Sequence, residues 1–219
     1  MTFSRYAHIL VMIITLLLSG CSLPKIIVLN DPLSADEHVS LGSIYASQGK
    51  TDLARDQYRA AVRQDKKNAK AWALLGDASF QLKEYKEAER AYDTALDLDP
   101  KNGDLRNNLA WVYVQQDRKL GKAQELVASA MALTPVHRPF YLDTLGVVLL
   151  KLGKTGEAVA ALTESVNTIP KDQFGFLAEA YLHLADAYAA EGSEEKAAEA
   201  RMHHRELTQH APSVGAPVP

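Results

Sequence analysis

Cysteine is nearly missing from these 219 residues: there is one, Cys21. An intrachain disulfide is therefore impossible, and a cysteine-based metal cluster is out of reach. Positive charge is in slight deficit, with 24 Lys and Arg against 27 Asp and Glu and a net charge of -3. Without a broad basic surface there is little to displace counterions from a phosphate backbone, and nucleic acid is not expected as a partner. Catalytic signatures are absent as well: no His-Glu-x-x-His, no phosphate-cradling glycine loop and no Gly-x-Ser-x-Gly occur. His203 and His204 are adjacent, so on a helix they point about 100° apart and chelate poorly. No catalytic residue, metal, cofactor or small-molecule substrate is expected. What remains is a chain of 47% hydrophobic and 23% charged residues, the composition of an ordinary folded protein.

Long apolar runs are also lacking, except at the N-terminus. Arg5 precedes an apolar stretch from Ile9 to Leu18, which closes on the small residues Ser19 and Gly20. Ten such positions at about 1.5 Å each cannot cross a hydrocarbon core of about 30 Å. The pattern is that of an export signal over residues 1–20. Leu18-Ser19-Gly20-Cys21 resembles the lipobox of bacterial lipoproteins. That resemblance implies a diacylglyceryl group on the Cys21 thiol, cleavage before it, and an acyl chain such as palmitate on the new amine. Each buried methylene adds about 0.8 kcal/mol, and two or more chains anchor stably. Ser22 rather than Asp follows the cysteine, which by the same resemblance favours the outer membrane, with the folded part facing the periplasm. Two other readings stay open: a conventionally cleaved signal leaving one buried cysteine, and an uncut anchor. Residues 21–34 read as a tether, although Ile26-Ile27-Val28-Leu29 is apolar and either packs on the folded part or a partner, or lies at the lipid surface. The uncharged end, within 208–219, reads as a disordered tail.

Between them runs a repeat. Leu41-Gly42, Leu75-Gly76, Leu109-Ala110, Leu145-Gly146 and Leu184-Ala185 set a small residue at intervals of 34, 34, 36 and 39. Alanines follow at 54, 88, 123, 158 and 197, then large residues at Tyr58, Tyr92, Val127 and Leu162, and small ones at Ala61, Ala95, Ala130 and Ser165. Spacings of four and three place these on one helical stripe. Pro100, Pro135 and Pro170 stop second helices, Gly49, Gly153 and Gly192 mark turns within pairs, and Ser34 with Glu37 forms a capping box. Trp72, Leu75, Gly76, Ala88, Tyr92, Ala95 and Pro100 give the fullest match to the tetratricopeptide family, which the chain resembles over residues 35–207. The resemblance implies an all-α, right-handed superhelical solenoid of about five helix pairs, near 35–68, 69–102, 103–138, 139–177 and 178–207. Ser79 departs from the family's Tyr, and Arg201 and His204 depart from apolar and small residues, as a capping repeat would.

In that family the first helix of each pair lines a concave groove. Transferred by position, the protein-binding groove is expected at Asp77, Phe80, Asn107, Asn108, Trp111, Phe140, Asp143 and Val147. Its aromatics offer rigid apolar area and its amides can bond an extended peptide, although Trp111 and Phe140 could equally fill gaps between helices. Acidic positions at Asp36, Asp77, Asp104, Asp143, Glu179 and Asp186 predict a neutral or basic, partly apolar ligand. The Lys, Arg and Asn side chains of a carboxylate clamp are missing from their places. Glu84, Glu87 and Glu89 alternate with Lys83, Lys86 and Arg90 and read as a solvated face.

The expected function is a membrane-anchored periplasmic scaffold that binds a protein partner. Asn107 to Trp111 with Leu142 to Gly146 resembles tetratricopeptide lipoproteins of exopolysaccharide export, and Asn102 to Asn108 resembles lipoproteins that pilot pilus secretins. A third similar group assembles envelope hydrolases and proteases. The alternative is an accessory subunit of, or a weak, envelope hydrolase built around His137, His183 or His203.

Overall fold

The structure is a computed structural model that describes residues 31–210. The signal, Cys21, the Ile26 to Leu29 segment and residues 211–219 lie outside the described residues. Among the described residues there are ten α-helices and no strand. They run as five antiparallel-adjacent pairs: α1 (Ala35–Ser47) with α2 (Thr51–Gln64), α3 (Ala69–Gln81) with α4 (Tyr85–Leu98), and α5 (Gly103–Gln115) with α6 (Leu120–Leu133). A short 3-10 turn, Pro135–His137, then leads into α7 (Arg138–Lys151) with α8 (Thr155–Thr168), and α9 (Phe174–Glu191) pairs with α10 (Glu194–His210). No described helix is long and apolar enough to cross a membrane.

Local chemistry sets the helix ends. The Ser34 and Glu37 side chains cap α1 reciprocally, and Asn68 and Asn102 accept from the backbone N–H of Ala71 and Leu105 to start α3 and α5. Every turn inside a pair uses one device. A residue with positive φ follows the first helix, seven positions after the small residue of the repeat: Gly49, Lys83, Asp117, Gly153 and Gly192. Its N–H and the next one return to carbonyls of the last turn, as Gly49 to Ala46 and Lys50 to Tyr45, or Lys83 to Phe80 and Glu84 to Ser79. This is the Schellman closure. The glycines announce it in the sequence; Lys83 at φ 61° and Asp117 at φ 48° adopt it without that signal.

Packing within a pair follows from the size of two side chains. A Cβ on Gly42 would stand 2.5 Å from the Tyr58 ring, one on Gly76 2.6 Å from the Tyr92 ring, and one on Gly146 2.3 Å from Leu162 Cγ. In the third pair both partners change together, and Ala110 and the smaller Val127 are fully buried in one cluster. The core is continuous along the stack. Trp72, half-buried, packs against both the first and the central cluster, and Met131 and Leu145 join the central cluster to the last. Its indole N–H donates to the Lys66 carbonyl.

Three sequence expectations need correction. The division between 177 and 178 falls inside α9, because the 39-residue interval lengthens this helix to 18 residues where the other first helices have 13 or 14. Helix α10 continues to His210, so residues 208–210 of the expected tail are helical. The glutamates of α4 and its turn are not a free solvated face. Glu84 pairs with Arg55 at 2.6 Å, Glu87 with Arg59 at 2.6 Å, and Glu89 with Lys119 at 2.8 Å and with Arg118. These bonds join neighbouring pairs, and Arg59 with Ser79 holds the Glu87 carboxyl below its usual range. His204 turns inward and donates to the Ala178 carbonyl at 2.9 Å.

Candidate binding groove

Helices α3, α5, α7 and α9, the first members of four successive pairs, line a cavity of about 460 Å³, within the roughly 300–1,000 Å³ of ligand pockets. Seven of the eight expected groove residues are on its wall: Asp77, Phe80, Asn107, Asn108, Trp111, Phe140 and Asp143. Val147 is not; one turn beyond Asp143, it packs, half-buried, against the central core cluster. Trp111 and Phe140 do both things weighed for them: they pack on core clusters and face the cavity.

Sequence reasoning missed Phe176 and Gly175, which the extra first turn of α9 brings in. The long last interval was the available signal. Tyr92, read in the sequence only as a large residue of the repeat stripe, lines the cavity too. The ring does pack on Gly76, yet its hydroxyl donates to Asp77 Oδ1 at 2.7 Å and so reaches the groove. Asn108 Nδ2 donates to the same oxygen at 3.3 Å. Burial outweighs both bonds and pushes the Asp77 carboxyl up to about 6. Burial, and then the charge of Asp77, pushes the Tyr92 hydroxyl well above its ordinary value.

Across the groove, His183 Nδ1 lies 2.9 Å from Asp143 Oδ1, and the imidazole sits 5.8 Å from the Trp111 ring. Residues of α5 and α9, two pairs apart, thus meet over α7. Burial disfavours the charged imidazole, but the bond to Asp143 and the charges of Asp143, Glu179 and Asp186 outweigh it and raise the His183 pKa above 6.5. Asn107 Oδ1 is buried with no donor among the described residues. Such an oxygen costs about 1–3 kcal/mol unless something supplies a hydrogen bond.

Glu179 lines the cavity as well, and Asp104, His137 and His203 lie elsewhere. Asp104 accepts from the Tyr141 hydroxyl at 2.6 Å and stands 2.8 Å from His137 Nδ1, at the junction of the third and fourth pairs. His203 stands 3.5 Å from Glu206. Of the three histidines considered for catalysis, His183 alone lines the cavity. The hydroxyls beside it belong to Tyr92, committed to Asp77, and Thr144, which is buried. Among the described residues no group of three or more His, Cys, Asp or Glu is placed to hold a metal. This wall accepts hydrogen bonds, presents negative charge and offers ring faces.

Two family models described as tetratricopeptide repeat match residues 39–103 and 80–139. The chain is 30% identical over 105 residues to the type IV pilus assembly protein PilF of Pseudomonas aeruginosa, which covers 47% of this chain and 41% of that protein. It spans less than half the length of the curated relatives it matches. Among solved structures, that of PilW, a type IV pilus biogenesis factor, superposes with a TM-score of 0.70 at 21% identity, over 81% of this chain and 79% of that one. YrrB, described as a tetratricopeptide-repeat protein with an unusual peptide-binding site, superposes with a TM-score of 0.58 at 22% identity, over 81% and 88%. At such identity the two structures speak for the fold alone. Residues 39–139 thus match models of the tetratricopeptide repeat, and the five helix pairs from Ala35 to His210 share the fold of solved tetratricopeptide-repeat structures.

Proposed function

We propose that the chain is a membrane-anchored scaffold that binds an extended segment of a partner protein along α3, α5, α7 and α9, and that it serves the assembly of an envelope complex. One observation carries this reading: a cavity built by four consecutive helix pairs, with Phe80, Trp111, Phe140 and Phe176 beside amide and carboxylate groups. Rigid rings supply area at low entropic cost, and the polar groups between them suit a peptide backbone in a groove. The likeness to PilF supports pilus biogenesis as the setting within the wider group of pilus assembly and polysaccharide export. The lipobox-like Leu18 to Cys21 supports anchoring through Cys21 at the outer membrane, with the repeats in the periplasm.

The test has two arms in intact envelopes. Cys21→Ser should release the chain from the membrane fraction and abolish incorporation of labelled palmitate. Replacing Asn107, Trp111 and Asp143 together by Ala should remove specific partners from a crosslinked capture while leaving the helix content intact. Unchanged partners after the triple replacement would rule out groove binding, and retention of the Cys21→Ser chain in the membrane would rule out the anchor.

A further inference from the structure

The cavity is unbalanced in a way that defines what it should hold. The donors that meet its two aspartates reach one oxygen of each: the Tyr92 hydroxyl and Asn108 amide bond Asp77 Oδ1, and the His183 ring bonds Asp143 Oδ1. The second carboxylate oxygens of Asp77 and Asp143 take no donor from the described residues, and neither does the buried Asn107 Oδ1. No Lys or Arg side chain lines the space. Acceptors from α3, α5 and α7 thus line one space with Trp111, beside which stands His183 of α9.

We propose that this cavity receives an arginine side chain of the partner polypeptide, its guanidinium placed among Asp77, Asn107 and Asp143 and flat against Trp111. The inference rests on the groove-binding reading above and specifies its ligand. A guanidinium matches the need better than an ammonium. Its five N–H donors radiate in one plane and serve acceptors on several sides at once, and the same plane stacks on an indole. It is also the more weakly hydrated cation, so it gives up less on entering a space walled by Phe80, Phe140 and Phe176. A bound cation further relieves the burial that raises the Asp77 carboxyl to about 6. Apolar neighbours of the arginine would lie on the phenylalanine wall.

The full chain in detergent micelles supplies the test, because it has only two tryptophans, Trp72 and Trp111. Their indole N–H resonances report the core and the groove separately. The probe is the blocked pentapeptide Gly-Leu-Arg-Leu-Gly, with versions carrying Lys, Gln or Glu at the centre. The arginine peptide should move the Trp111 signal saturably and leave Trp72 in place, with the lysine peptide weaker and the glutamate peptide inert. Asp77→Asn and Asp143→Asn should each weaken the arginine peptide by about tenfold or more, at an unchanged circular dichroism spectrum. Should either variant misfold, the peptide series on the unaltered chain still decides. A glutamine peptide that binds as tightly as arginine overturns the cation while sparing the groove. A lysine peptide of equal affinity overturns the guanidinium assignment. If no peptide moves Trp111, this inference and the groove reading both fall.

Discussion

Phe176 of α9 packs edge-to-face on Phe140 of α7, ring centres 4.9 Å apart and planes inclined at 63°. Phe176 comes from the turn by which α9 exceeds the other first helices, so an insertion between repeats has become a wall of the groove. Phe176→Ala should therefore act on binding first. An aromatic pair of this kind contributes about 0.5–1.5 kcal/mol beyond its buried area. The expected outcome is several-fold weaker binding of the arginine pentapeptide in the indole titration, with the thermal midpoint lowered by only a few degrees. A variant that binds normally would show that the added turn is packing alone.

Gly76 offers a test of the pair geometry that also reaches the groove. An added Cβ would stand 2.6 Å from the Tyr92 ring, and that ring must shift or α3 must part from α4. Overpacking of this sort costs about 1–3 kcal/mol. Gly76→Ala should lower the urea midpoint accordingly, and it should also weaken peptide binding, because Tyr92 orients Asp77. Combining it with Tyr92→Val imitates the Ala110 and Val127 pair of the third repeat, and stability should largely return while the Asp77 bond does not. Urea titration with the peptide assay separates the two effects.

Much of this architecture is legible along the chain because each rule involves residues close in sequence. The small and large positions lie within one helix pair, the prolines and capping residues within one turn, and the first-helix stripe is periodic, so seven of the eight residues expected together line one cavity. What stayed hidden depends on contacts between repeats. Glu84, Glu87 and Glu89 look solvated beside their own lysines, yet each meets a cation 28 to 30 residues away. Val147 has the spacing of a groove residue, but it packs, half-buried, on the central core cluster and is not on the cavity wall. The backbone of Lys83 and Asp117 was hidden for another reason: neither residue type demands positive φ, and only the repeat position does.

That hidden position makes a prediction in both directions. Left-handed backbone costs an ordinary residue roughly 1–2 kcal/mol relative to its absence in glycine. Lys83→Gly should therefore stabilise the fold by about 1 kcal/mol, and Gly153→Ala, at φ 75° with nothing within 4 Å of the new methyl, should destabilise it by a similar amount. The second case has no clash to blame, so backbone conformation alone is measured. Urea midpoints that move together in one direction would contradict the shared turn.

His183 and Asp143 give a signature in pH. The folded His183 pKa stands above its ordinary 6.5, since the bond to Asp143 and the charges of Asp143, Glu179 and Asp186 outweigh burial. Stability from the pair is then complete below about pH 6.5 and is lost as pH rises through the folded value. In Asp143→Asn burial should prevail and the imidazole should titrate below 6.5. Ring-proton chemical shifts followed across pH check both statements, and a His183 titration unmoved by the substitution would sink the pairing.

Asp77 shifts stability in the same direction from a different cause, burial of its carboxyl. Its folded value of about 6 lies above the ordinary 3.8, so between these the folded chain holds a proton that the unfolded chain has released. Stability then falls as pH rises through that window, because the unfolded state binds fewer protons. The interval of about two pH units corresponds to about 3 kcal/mol above pH 6. Asn at this position keeps an oxygen for Tyr92 and Asn108 but carries no charge to bury. Relative to the unaltered chain, Asp77→Asn should be near neutral at pH 4 and increasingly stabilising up to about pH 6.5, as read from urea unfolding at each pH. The same substitution weakens the arginine peptide, so one side chain should show a gain in stability together with a loss in binding. That opposition is what separates a carboxylate held for a ligand from one held for the fold, and a parallel loss of both would assign Asp77 to structure.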